Sequence, residues 1–104
     1  MLMIIYIDID DTICYYENDS CKTDYKLAKP YYDRITKINS LYEQKNYIVY
    51  WTARGTKTGI DWSEITKLQL ENWGCKYHEL KFNKPVYDLF IDDKNINSEY
   101  YFNQ

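Results

Sequence analysis

Asp8, Asp10 and Asp11 follow directly on the apolar run Leu2-Met3-Ile4-Ile5-Tyr6-Ile7, and Thr12 and Ile13 come next. Asp8 and Asp10 are two residues apart, so near a strand end both can point to one side. Two carboxylates that close repel unless one is protonated or a cation sits between them. A hard divalent ion held by oxygens resolves this, and magnesium is the first expectation. The plainer reading, an acidic turn after an edge strand, stays open for this pair alone. Three further polar signals lie downstream: Thr52, Lys84 and the doublet Asp92-Asp93. Singly they read as a turn residue, a solvated loop lysine and a helix cap. Acids, hydroxyl, lysine and acids in that order weigh more together than any of them does singly.

These residues need elements to position them. Leu2 to Ile7 has the length and β-branched content of a buried strand. Thr12 to Lys29 is polar and irregular, with Asn18-Asp19-Ser20 as a turn signal; Tyr15-Tyr16 and Tyr25 would flank it as a short hairpin. Pro30 opens a helix with Ile35, Ile38, Leu41 and Tyr42 on one face, and Asn46 stops it. Tyr47 to Trp51 is a second buried strand, ending at Thr52-Ala53-Arg54-Gly55. Asp61-Trp62-Ser63-Glu64 reads as a capping box for a helix with Trp62, Ile65, Leu68 and Gln69 along its stripe and Gly74 as its stop. Lys76 to Leu80 reads as a short edge strand, Val86 to Ile91 as a further strand, and Asn97 to Phe102 as a last helical turn. Strand and helix alternate, which favours a parallel sheet with right-handed crossovers. The C-terminal ends of its strands then share one edge, where ligands of open α/β sheets bind. Asp8-Asp10, Thr52 and Asp92-Asp93 would converge there.

Composition sets the bounds. A chain of 104 residues fits one domain, 1–104. The hydrophobic content of 45% and charged content of 28% read as globular. A formal net charge of -3 gives no basic footprint for nucleic acid. Three cysteines, Cys14, Cys21 and Cys75, lack metal-type spacing and imply a reducing interior. The apolar start Met1 to Ile7 is too short for a signal peptide and has no basic flank, and no run approaches membrane-spanning length. The expectation is a cytoplasmic protein without membrane or nucleic-acid partners. The 13 tyrosines are read as stand-ins for Leu, Phe or Val.

The chain resembles the haloacid dehalogenase (HAD) superfamily of phosphohydrolases over almost its whole length. That family's first motif, an apolar strand followed by Asp-x-Asp-x-Thr, is matched by Asp8-Ile9-Asp10-Asp11-Thr12. Its strand ending in Thr or Ser is matched by Ile48-Val49-Tyr50-Trp51-Thr52, its lysine by Lys84, and its strand ending in an acidic pair by Phe90-Ile91-Asp92-Asp93. The stretches Trp51 to Gly55, Thr58 to Trp62 and Lys84-Pro85 further resemble small bacterial phosphatases of capsule or surface-sugar biosynthesis. The resemblance implies a three-layer Rossmann-like α/β fold whose small, mainly parallel sheet has the order about 4-1-2-3, with a β-hairpin flap.

It also implies the roles. Asp8 would attack phosphorus and form an aspartyl-phosphate. Asp10 would protonate the leaving oxygen and then activate water. Thr52 and Lys84 would bind the phosphoryl group. Magnesium would be held by Asp8, the Asp10 carbonyl, and Asp92 or Asp93, a choice that the doublet leaves open. Thr12 would orient the loop. Arg54 would either contact substrate or brace an acid. Asp11 stands where the family often has Gly. His78, the single histidine, falls on the edge strand away from the motifs and reads as a surface residue.

The interval Ile13 to Pro30 holds only a flap, and Gly55 to Asn83 only core elements, so no cap domain is expected. An open site excludes water poorly. A large substrate or another subunit would have to cover it, and a homo-oligomer is expected. The substrate expected is a small phosphorylated sugar or related metabolite. Two rivals are a phosphatase of nucleic acid ends or phosphoproteins and, from the signalling class, a receiver-like phosphate-binding module. The receiver reading needs an acid at the end of a central strand, and Tyr50-Trp51-Thr52 supplies none.

Overall fold

A computed structural model describes residues 2–104. Strand β1 (Ile4–Ile7) pairs in parallel with β4 (Tyr47–Trp51), with Ile5 opposite Ile48 and Ile7 opposite Tyr50. On its far side β4 pairs in parallel with β5 (Glu79–Lys81), with Tyr50 opposite Leu80. The sheet order is β1-β4-β5. Partners in register share a face, so Ile5, Ile7, Ile48, Tyr50 and Leu80 form one apolar layer. Helix α1 (Tyr32–Glu43) buries Ile35 and Ile38 against it, and α2 (Ser63–Asn72) buries Leu70. Tyr50 is completely buried in that core, a tyrosine where a simpler aliphatic would serve. The other sheet face is thinly covered: Ile4 and Tyr6 are exposed, and Tyr6 meets the Trp51 ring edge-on with centroids 5.7 Å apart.

The flap is a small antiparallel pair, β2 (Cys14–Tyr15) with β3 (Lys29–Pro30), enclosing 3₁₀ turns at Asp19–Thr23 and Tyr25–Leu27. Pro30 therefore closes an edge strand and does not open α1, which starts at Tyr32. Proline suits this two-stranded edge because a missing N–H costs little there. Asn46 does more than stop α1: it is buried, its amide donates to the Leu41 carbonyl, and its Oδ1 accepts from the Met3 N–H. In α2 the fully buried side chains are Thr66 and Leu70, one helical turn apart, whereas Leu68 is exposed. Asp61 caps α2 from outside, accepting from the Ser63 N–H at 2.9 Å. Gly74, at φ +75°, follows the helix end. Asn97 caps the short helix α3 (Ser98–Phe102) by accepting from the Glu99 N–H.

The expected fourth strand does not form. Val86, Tyr87, Leu89, Phe90 and Ile91 are all exposed, and 86–91 is irregular backbone. Among the described residues, β1 has a single partner, so its outer edge is open where a strand order of 4-1-2-3 would put a neighbour. The three free cysteines form no disulfide. No helix among the described residues is long and apolar enough to cross a membrane.

Candidate functional site

The parallel register brings the ends of β1, β4 and β5 to one rim. Alternation continues past β1: Ile9 is completely buried, while the Asp8 and Asp10 side chains keep 36% and 24% of their surface exposed. The chain then turns, with the Ile9 carbonyl accepting from the N–H groups of Thr12 and Ile13 at 3.1 and 2.9 Å. Asp11 sits in this turn at φ +60°, the left-handed region, which is the physical reason why glycine suits the position. Ile13 is buried on the core side and anchors the turn.

Asp8 faces Lys84, with Oδ1 3.4 Å from Nζ, and its Oδ2 accepts from the Thr12 hydroxyl at 3.4 Å. Burial pushes the Asp8 carboxyl above its usual range; the Lys84 ammonium opposes this and the Asp10 charge adds to it. The backbone sets Lys84 beside β4, because its N–H donates to the Thr52 carbonyl at 3.1 Å. Thr52 is buried. Its hydroxyl oxygen accepts from the Arg54 N–H at 3.1 Å, and no acceptor among the described residues takes its proton. Asp8, Asp10, Thr52 and Arg54 line a cavity of about 250 Å³ with Tyr16, Lys22 and Tyr25 of the flap.

Asp10 is the most heavily held group of the rim. Arg54 grips it as a fork, Nε to Oδ2 at 3.0 Å and Nη2 to Oδ1 at 2.9 Å. Oδ1 also accepts from the Tyr16 hydroxyl at 2.6 Å and the Cys14 thiol at 3.4 Å. Burial, together with the Asp10 charge, pushes both of those groups well up, so they stay protonated and keep donating. The Arg54 side chain has no exposed surface. Burial alone would lower its pKa, but the hydrogen bonds and charge of Asp10 outweigh that and raise it. Gly55, at φ +84°, makes the loop after Arg54 close: a Cβ there would lie 2.1 Å from the Ile60 carbonyl oxygen.

The expected metal ligands are only half gathered. Asp8 and Asp10 stand at the rim, but Asp92 and Asp93 lie on the exposed 86–97 segment and do not line the cavity. Asp92 spends Oδ2 on the Lys94 N–H at 3.2 Å, a local turn. Among the described residues no group of three or more His, Cys, Asp or Glu is arranged to hold a metal ion. As they stand, these four aspartates do not fit magnesium. The physical reason is the missing fourth strand that would deliver the doublet. His78 does not line the rim cavity and is stacked between Tyr42 and Tyr47, with its Nδ1 accepting from the Ile48 N–H.

Tyr16, Tyr25, Thr66 and Gln69 also belong to the site, although no sequence signal assigns them to it. Tyr15-Tyr16 was visible as a flap border, but nothing in the sequence points its hydroxyl at Asp10. Gln69 was legible only as part of a helix stripe.

No family model matches this chain, and no curated protein does. The fold does match a crystal structure of a structural-genomics target from Vibrio cholerae, with a TM-score of 0.83 and 22% identity over 100% of this chain and 89% of that one. This defines the class by fold: a small α/β protein with a three-stranded parallel sheet and a second, antiparallel pair.

Proposed function

We propose that this chain is a HAD-type, magnesium-dependent phosphomonoester hydrolase that works through an aspartyl-phosphate on Asp8, with a small sugar phosphate or related metabolite as substrate. One observation carries the reading. A partly open carboxylate, Asp8, stands 3.4 Å from a largely buried ammonium, Lys84, at the rim where a second carboxylate, Asp10, is clamped in place. That is the arrangement a nucleophile and its acid–base partner need.

The chemistry follows from the chain's own groups. With Asp10 first protonated from solvent, an Asp8 oxygen bonds to phosphorus as the ester P–O bond breaks, and the leaving oxygen takes that proton from Asp10. Asp10, now a carboxylate, removes a proton from water while the water oxygen attacks the phospho-aspartate. Asp8 is released, with one water consumed and inorganic phosphate formed. The Lys84 ammonium and the free Thr52 O–H meet the charge on the phosphoryl oxygens. Without that help an anionic carboxylate attacks a dianionic phosphate poorly.

Magnesium belongs to the proposal as an activator, and no step above runs through it. For Asp92 or Asp93 to join Asp8, the 86–93 segment has to close along the open edge of β1, giving the order 4-1-2-3. The five exposed apolar residues of 86–91 and the unpaired β1 edge support such a movement. The test of function is direct. Purified protein releases phosphate from p-nitrophenyl phosphate with magnesium and stops when the ion is chelated. Asp8→Asn abolishes turnover with an unchanged circular dichroism spectrum. Equal turnover in that variant refutes Asp8 as nucleophile.

A further inference from the structure

We infer that Arg54 is a positioning residue that fixes which oxygen of Asp10 exchanges the proton, and that it is not a substrate contact. The inference rests on the hydrolase reading above and deepens it. A carboxylate offers about four lone-pair directions over its two oxygens. Oδ1 of Asp10 accepts from Arg54 Nη2 at 2.9 Å, the Tyr16 hydroxyl at 2.6 Å and the Cys14 thiol at 3.4 Å. It has no direction left. Oδ2 accepts only from Arg54 Nε at 3.0 Å among the described residues, and so keeps one. Oδ2 is therefore the oxygen that gives the proton to the leaving group and takes one from water.

Four of the five guanidinium N–H groups are spent within the protein, and the Arg54 side chain has no exposed surface to offer a substrate. Two of these groups go to Asp10 and the pair on Nη1 go to Thr66 Oγ1 at 3.1 Å and Gln69 Oε1 at 2.6 Å. The Tyr25 ring lies 4.8 Å from its carbon and covers a face. Gln69 in turn donates to the Tyr25 carbonyl at 2.6 Å, so α2 and the flap hold the fork together. A planar fork fixed on several sides permits one carboxylate orientation; a lysine ammonium would not. Arg54→Lys is thus a test of geometry at constant charge.

Leaving-group chemistry separates positioning from a general loss of structure. Protonation matters greatly when an alkoxide leaves and little when p-nitrophenolate leaves. With magnesium present, kcat/KM is measured for p-nitrophenyl phosphate and for an alkyl phosphate such as glycerol phosphate. For Arg54→Gln and Arg54→Lys, the loss on the alkyl ester exceeds the loss on the aryl ester by roughly 100-fold, the lower range of what a placed general acid contributes. Both variants also accumulate phosphorylated protein in acid-quenched intact mass spectra, because the same oxygen must activate water. An equal loss on both esters, or a raised KM with kcat intact, overturns the inference. If the Arg54 variants do not fold, Gln69→Leu and Thr66→Val loosen the guanidinium and must show the same bias in smaller degree; an even loss there overturns it equally. Wild-type protein inert on both esters removes the hydrolase reading itself, and this inference with it. An active wild type with unbiased variants removes the inference alone.

Discussion

The chain contains two apolar runs that end in acids, and they have opposite fates. Ile4–Ile7 forms β1, pairs with β4 and delivers Asp8 and Asp10 to a packed rim. Val86 to Ile91, apolar but for Asp88, ends in Asp92-Asp93 and remains irregular and exposed. The difference lies in what each run meets. Beyond β1, Ile9 and Ile13 bury themselves completely, and Thr12, Tyr16 and Arg54 hold the acids from three directions. Beyond Ile91, Asp92 finds among the described residues only the Lys94 N–H of its own turn. Apolar content nominates a strand, but a neighbour in register makes one, because ladder hydrogen bonds and shared burial must offset the entropy of ordering the chain.

The largest effect that tests this contrast is on the buried side. Ile9→Ala removes a fully buried side chain between the two acids and should cost about 3 kcal/mol in chemical denaturation, because the cavity cannot collapse under a fixed rim. A cost below about 1 kcal/mol would mean that the rim is not held by its core.

An intermediate effect concerns charge. In chelator-treated protein the Asp8 carboxyl should titrate above the ordinary 3.8, followed by ¹³C NMR, because burial raises it. Lys84→Met should move it higher still, since the ammonium opposes that rise. The linkage has a definite sign. The folded state holds this proton more tightly than the unfolded state, so Asp8's contribution to stability falls as pH rises from the ordinary value through the raised one. An unmoved titration in Lys84→Met would break the Asp8–Lys84 pairing.

The smallest effect is on the exposed side. Ile91 is 88% exposed, so Ile91→Ala should change stability by under about 0.5 kcal/mol without magnesium. Saturating magnesium sharpens the comparison: backbone amides of 86–93 should then gain protection from hydrogen exchange, and Ile91→Ala should become measurably destabilising. No gain in protection would mean that the segment does not close on β1.

The parts of the fold legible in the sequence are those decided locally. β1 and β4 were readable from β-branched runs, α1 from Ile35 and Ile38 at helical spacing, and the α2 stop from Gly74. The meeting of Asp8, Asp10 and Thr52 followed from strand ends alone, since parallel strands share an edge; the same argument put Asp92-Asp93 there, where the structure does not, and Lys84 came only from the family resemblance. What stayed hidden depends on distant partners. Pro30 fits a helix start as well as an edge strand, and only pairing with Cys14 decides between them. The Arg54 fork needs the Gly55 turn, Thr66 and Gln69 on α2, and the flap tyrosines together, and no local spacing encodes that meeting.

On the proposed function, the β1 rim makes Asp8 a nucleophile with Asp10 as its proton partner. The measurement that reaches it most directly is acid-quenched peptide mass spectrometry of Asp10→Asn during reaction with p-nitrophenyl phosphate and magnesium. One phosphoryl group should accumulate on the peptide carrying Asp8 and vanish when Asp8→Asn is added. No adduct, or an adduct on any other residue, would contradict it.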